Sequence, residues 1–152
     1  MLPPIILSIA GSDCSGGAGI QADIKTISAL GGYAASVITA VTAQNTLGVQ
    51  SVYPIPADMV KAQIASVMDD LRPDAVKIGM VYDAGIVTAI VDCLQTYTPE
   101  CIVYDPVMIS TSGRRLMTEE TIQVIKTELF PLCTLITCLL YTSPSPRDYA
   151  AS

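Results

Sequence analysis

The sequence predicts an α/β fold built on a parallel sheet, and three observations carry that prediction. Short β-branched runs alternate with amphipathic stretches, each change between the two is marked by glycine, proline, aspartate or threonine, and most of the apolar runs lack a polar face. Strands covered by helices on both sides read this way. The 152 residues are 51% hydrophobic and 14% charged. By length this is one domain, able to bury roughly two-thirds of its unfolded surface.

Residues 5–10 form the first predicted strand. They follow Pro3-Pro4, lack a preceding Lys or Arg and run into Gly-Ser-Asp, so they do not read as a secretion signal. A helix is predicted over 18–30, because Ile20, Ile24, Ile27 and Leu30 recur on one face before Gly31-Gly32 ends it. A strand follows at 36–41. Asp58 is expected to cap the next helix, with Val60, Ile64, Val67, Met68 and Leu71 inward and Pro73 beyond its end. Strands at 75–79, 101–104 and 134–137 complete the expected sheet. Between them, Asp83 opens a helix carrying Ile86, Ile90 and Leu94, and Thr118 with Glu119-Glu120 opens one carrying Ile122, Ile125 and Leu129.

Composition excludes several chemistries. There is no histidine, which removes Ser-His-Asp and Cys-His catalysis and any imidazole base. The net charge is −6 with the basic residues scattered, Arg114-Arg115 apart, so nucleic acid is not an expected partner. No apolar stretch approaches the roughly 20 residues that cross a membrane. Cys14, Cys93, Cys101, Cys133 and Cys138 include no C-x-x-C pair, a reduced and intracellular pattern, and the expected location is cytoplasmic. None of these thiols reads as a nucleophile; cysteine in core elements is usually a small hydrophobe.

The strongest local signal is A-G-S-D-C-S-G-G-A-G-I-Q-A-D at 10–23, where a buried strand meets a loop that opens straight into a helix. Gly16, Gly17 and Gly19 let backbone N–H groups face an anion or a ring substituent, or they simply permit a tight turn. The loop is neither a Walker A motif nor a clean G-x-G-x-x-G. Gln44-Asn45, Gly79-Met80 and Asp105-Pro106-Val107 also fall near the predicted carboxyl ends of strands, where open α/β sheets bind ligands. Gln44 offers an amide donor and acceptor, although an arbitrary Gln is more often a solvated loop residue. Asp105 could face a cation or serve as a turn former. Lys77, inside a strand, reads as a side chain that snorkels outward rather than as an anion partner.

Four segments, A-G-S-D-C-S-G-G-A-G-I-Q-A-D at 10–23, V-T-A-Q-N-T at 41–46, K-I-G-M at 77–80 and D-P-V-M-I-S-T-S-G at 105–113, resemble in order and spacing the hydroxymethylpyrimidine/phosphomethylpyrimidine kinases of thiamine biosynthesis. The resemblance covers Pro4 to about Thr137. It implies a ribokinase-like three-layer αβα fold with a mostly parallel sheet, present here in truncated form. It also implies ATP-dependent phosphorylation of 4-amino-5-hydroxymethyl-2-methylpyrimidine and then of its monophosphate. Carried over residue by residue, Gln44 reads the aminopyrimidine edge, and Gly11, Ala18, Asp23, Met80 and Val107 line the same pocket. Asp105 stands at the phosphate side with Mg²⁺ or a monovalent cation. A homodimer of the intact protein is compatible with the resemblance. Pyridoxal/pyridoxine kinase is the nearest alternative within the superfamily, and a non-catalytic pyrimidine-binding fragment is the alternative outside enzymes.

The resemblance places the catalytic residue, the G-[ST]-G-C-T-type anion-hole loop and most adenine contacts beyond residue 137, so no catalytic residue is assigned here. Residues 1–137 are therefore expected to be the N-terminal part of the kinase domain, with little or no turnover by themselves. Residues 138–152 resemble endings left when assembled reads run into adapter sequence, and a non-native or disordered tail is expected there.

Overall fold

The computed structural model describes residues 3–107 and 117–137. In chain order its elements are β1 (Ile5–Asp13), α1 (Gly19–Ala29), β2 (Tyr33–Asn45), β3 (Gly48–Pro54), α2 (Ala57–Asp70), β4 (Ala75–Ile78), α3 (Ala84–Tyr97), β5 (Ile102–Tyr104), α4 (Glu119–Val124) and β6 (Leu135–Ile136). The six strands form one sheet in the order β3-β2-β1-β4-β5-β6. All neighbours are parallel except β2 and β3, which form an antiparallel hairpin. The expected alternation of βαβ units holds apart from that hairpin.

Alternation along the strands divides the sheet into two faces. Leu7, Ile9, Val37, Val76, Ile78, Ile102 and Tyr104 point to one side and form the core with Val60 and Ile64 of α2, Ile86 and Ile90 of α3, and Ile122 of α4. The opposite face carries α1, held there in part by Ser8. The α1 stripe is only partly covered: Ile20 is buried, but Ile24 is 36% and Leu30 83% exposed. Periodicity identified the helix correctly but overstated how much of its apolar face is enclosed.

Two predicted caps are observed. Asp83 accepts from Ile86 N–H at 2.9 Å and Thr118 Oγ1 accepts from Thr121 N–H at 3.2 Å, each satisfying an orphan donor in the first turn. Asp58 is not a cap. The helix already begins at Ala57 behind Pro56, and the Asp58 carboxylate lies within the first turn, where its charge still suits the helix dipole. Beyond α4 the helix widens into a π turn over Ile125–Leu129, then tightens over Phe130–Leu132 before β6. The apolar positions Ile125 and Leu129 stay buried through that change.

The hairpin is the main departure from expectation. Instead of ending at residue 41, the second strand runs to Asn45 and returns as β3. Gln44 and Asn45 therefore belong to strand rather than loop, and the register shift between Ala43 and Gln44 re-aims the chain at that point. Residues 108–113 of the fourth motif, Arg114-Arg115 and the tail 138–152 lie outside the described residues.

Candidate functional site

Because β2, β1, β4 and β5 are adjacent and parallel, their carboxyl ends share one edge of the sheet. That edge brings Gln44, Gly11, Met80 and Asp105 into a row in that order. The chain leaves β1 toward β2 on one side and returns as β4 on the other. The boundary between β1 and β4 is thus a topological switch point, where α/β sheets form a ligand crevice. Gly11 and Met80 meet there: a Cβ on Gly11 would lie 2.6 Å from the terminal methyl of Met80. Met80 is held from below by Thr39, whose hydroxyl donates to the Met80 carbonyl at 2.7 Å.

The loop after β1 is ordered by Asp13. Its carboxylate accepts from Ser15 N–H at 2.8 Å, Ser15 Oγ at 2.7 Å, Gly17 N–H at 3.1 Å and Ala18 N–H at 2.8 Å. Of the loop N–H groups that the sequence left available for an external anion, that of Gly17 is thus taken by the chain's own carboxylate, together with those of Ser15 and Ala18, and that of Gly16 donates to the Asp13 carbonyl at 3.0 Å. Ala18 is the exposed N-cap of α1 and has no side-chain cap; Asp13 performs that service from five residues away. Burial works against the charge of Asp13, which is 3% exposed, but the hydrogen bonds from Ser15, Ala18 and Gly17 outweigh it and hold the carboxyl below its ordinary value. Gln21 adds a second tie, accepting from Asp13 N–H and donating to Ser12 Oγ, both at 2.8 Å.

Gly19 closes the turn in a conformation that requires glycine, with φ +56°. A Cβ there would run into the carbonyl oxygen of Gly11. The same loop is fastened to β2 by Cys14, whose thiol donates to Gln44 O at 3.1 Å and accepts from Gln44 N–H at 3.3 Å. Burial pushes the Cys93 and Cys133 thiols up, in keeping with structural rather than nucleophilic cysteines.

The remaining expected residues take different positions. Asp105 follows β5, half-buried, and its Oδ1 accepts from Thr137 Oγ1 at 3.1 Å. Val107 is half-buried two residues further along. Asp23 lies on α1 against the sheet face, one layer below the edge, and its carboxylate is engaged by Lys77 Nζ at 2.9 and 2.8 Å and by Ser8 Oγ at 2.6 Å. Lys77 therefore does not snorkel into solvent; it folds over the sheet to an ion pair. Sequence reasoning did not single out Asp13. An aspartate followed two residues later by a backbone donor is an Asx-turn signal, and reading it here would have found the residue that organises the loop.

A cleft of about 650 Å³ opens near the ends of α2 and α3, lined by Asp69, Arg72, Asp74, Tyr97, Thr98 and Glu100. It adjoins the opposite edge of the sheet, where β4 begins, and brings together no strand carboxyl ends. Among the described residues no group of three or more Cys, Asp or Glu could hold a metal, and no helix is long and apolar enough to cross a membrane.

A family model described as phosphomethylpyrimidine kinase matches residues 13–142. The hydroxymethylpyrimidine/phosphomethylpyrimidine kinase of Escherichia coli K12 is 52% identical over 131 residues, which are 86% of this chain and 49% of that protein. The enzyme of the same description from Rhizobium meliloti is 52% identical over 133 residues, 88% of this chain and 50% of its own length. The crystal structure of phosphomethylpyrimidine kinase from Clostridium difficile 630 superposes with a TM-score of 0.83 at 51% identity, covering 88% of this chain and 58% of that one. An ADP complex of Bacillus subtilis pyridoxal kinase gives 0.85 at 31% identity, covering 98% and 60%. The chain spans about half the length of these bacterial pyrimidine kinases. With the glycine loop, Gln44, Met80 and Asp105 aligned along one sheet edge, and with a family match across most of its length, the chain belongs to the phosphomethylpyrimidine kinase family.

Proposed function

We propose that the protein this chain represents phosphorylates 4-amino-5-hydroxymethyl-2-methylpyrimidine and its monophosphate with ATP, and that the 152 residues supply the ring-binding side of that site. The observation that carries this reading is the row of Gln44, Gly11 and Met80 at the switch point of the sheet. In it, Gln44 reads the amino and ring-nitrogen edge, while Gly11, Met80, Ala18 and Val107 bound the ring and Asp23 supports the floor. Gly11 leaves room for a flat ring where a Cβ would press on Met80.

Phosphoryl transfer depends on positioning and on offsetting charge, so these residues orient the hydroxymethyl group rather than react with it. Asp105 fits a role on the phosphate side. It is a hard oxygen donor at a strand end with one oxygen engaged by Thr137, and Mg²⁺ is commonly held by one or two carboxylates together with phosphates. A bound cation there, Mg²⁺ or monovalent, would offset triphosphate charge. The intact protein is proposed to be a cytoplasmic enzyme and a homodimer.

The likeness to pyridoxal kinase supports a second reading, in which the same edge takes pyridoxal. Calorimetric titration of the chain with each compound separates them. Saturable binding of the aminopyrimidine, with pyridoxal weaker, is expected. Preference for pyridoxal, or binding of neither compound, would overturn the proposal.

A further inference from the structure

Gln44 stands where the sheet ladder runs out. The register of β1 with β2 ends at Asp13 and Thr42, two residues before Gln44, and the pairing of β2 with β3 slips between Ala43 and Gln44. Ala43, Asn45, Thr46 and Leu47 around it are exposed. A side chain that reads a ring is only as well placed as the backbone that carries it.

The Cys14 side chain fills this gap. In an extended chain the N–H and C=O of one residue point to the same side, and for Gln44 both meet one atom. Cys14 Sγ donates to the Gln44 carbonyl at 3.1 Å and accepts from the Gln44 N–H at 3.3 Å. A thiol has one proton and free lone pairs, so the two bonds form together without competing for that proton. The sulfur thus extends the β1 edge by one pairing after its backbone has turned away. Its own position is fixed by the residue before it: Asp13 is tied through its N–H to Gln21 and through its carboxylate to Ser15, Gly17 and Ala18. The loop that presents Ala18 and the strand that presents Gln44 therefore meet at this sulfur.

We infer that Cys14 is a positioning residue for the ring site, setting where Gln44 stands relative to the glycine loop. The inference rests on the proposed ring-binding roles of Gln44 and Ala18 and adds a residue that acts through them.

The test is calorimetric titration of the unmodified chain, Cys14→Ala, Cys14→Val and Cys14→Ser with 4-amino-5-hydroxymethyl-2-methylpyrimidine, together with the amide nuclear magnetic resonance spectrum of each free chain. Alanine and valine remove both bonds, whereas serine keeps a group that donates and accepts. Cys14→Ala and Cys14→Val are each expected to bind about tenfold more weakly and to move the Gln44 amide resonance, and Cys14→Ser to bind within about threefold of the unmodified chain. Urea unfolding shows which variants are folded, and either apolar variant suffices. A role confined to loop stability would lower the unfolding midpoint and leave the affinity unmoved. Unchanged affinity in a folded Cys14→Ala or Cys14→Val, or equal weakening in Cys14→Ser, overturns the inference and leaves the proposed function standing. Failure of the unmodified chain to bind the compound overturns the proposed function and this inference together.

Discussion

Lys77 on β4 and Asp23 on α1 are joined across the sheet surface, with Nζ 2.9 and 2.8 Å from the two carboxylate oxygens. Both side chains are largely shielded, at 28% and 18% exposure, and Ser8 adds a third hydrogen bond. The pair fastens α1 to the centre of the sheet directly beneath Ala10 and Gly79, next to the switch point. Lys77→Met leaves the Asp23 charge without its partner and should cost about 2 kcal/mol, less than a fully buried pair because solvent still reaches it. Urea unfolding of Lys77→Met, Asp23→Asn and the double variant checks this. The double variant should lose less than the sum of the two single ones.

Asp13 makes the acid limb of stability predictable. Its carboxyl lies below the ordinary value in the folded chain, so the ionised form is what the fold stabilises. That contribution is complete above the unfolded value of about 4 and is lost as pH falls through the lowered folded value. Asp13→Asn should therefore be less stable than the unmodified chain by about 2 kcal/mol at neutral pH, with the gap narrowing toward about pH 3. Denaturant midpoints at the two pH values decide it; a gap that stays constant would show that the charge contributes nothing.

Tyr104 is fully buried against Phe130, their ring centroids 5.9 Å apart. Its hydroxyl has no hydrogen-bond partner among the described residues, and burial pushes the phenol well above its usual range. Tyr104→Phe keeps the ring packing and removes the unpaired polar atom. A gain of about 1 kcal/mol is expected, read as a higher thermal midpoint. A loss would mean that the hydroxyl is paired in solution.

Gly19 and Gly11 should respond differently to the same change. Gly19→Ala places a methyl against the Gly11 backbone at φ +56° and should cost at least about 2 kcal/mol. Gly11→Ala meets only the end of the flexible Met80 side chain, 2.6 Å away, and should cost about 1 kcal/mol in stability while sharply weakening ring binding. Unfolding and titration of both variants separate the two effects.

The parts of the fold that were legible in the sequence are those set by local signals. The Asp83 and Thr118 caps, the inward stripes of α2, α3 and α4, and the parallel strand cores all follow from period and punctuation. The β3 hairpin was missed because Gly48–Pro54 is an edge strand with little buried side chain and a proline at its end, so it lacks the apolar run of a central strand. The Lys77 pairing was missed for a different reason: its partner lies 54 residues away on another element, and no local pattern encodes that distance. The row of Gln44, Met80 and Asp105 was found through the resemblance and the rule that ligands gather at strand carboxyl ends. The Asp13 contacts needed coordinates, since they turn a loop that looked open to an anion into one already filled.

The central claim is that the carboxyl edge of the sheet at Gln44, rather than the cleft at the other end, binds an aminopyrimidine. Its most direct test is calorimetric titration of the chain with 4-amino-5-hydroxymethyl-2-methylpyrimidine, repeated with Gln44→Ala and with Arg72→Ala in the cleft. The account predicts one site per chain, lost or weakened at least about tenfold by Gln44→Ala and unaffected by Arg72→Ala. Equal affinity in Gln44→Ala, or loss confined to Arg72→Ala, would contradict it.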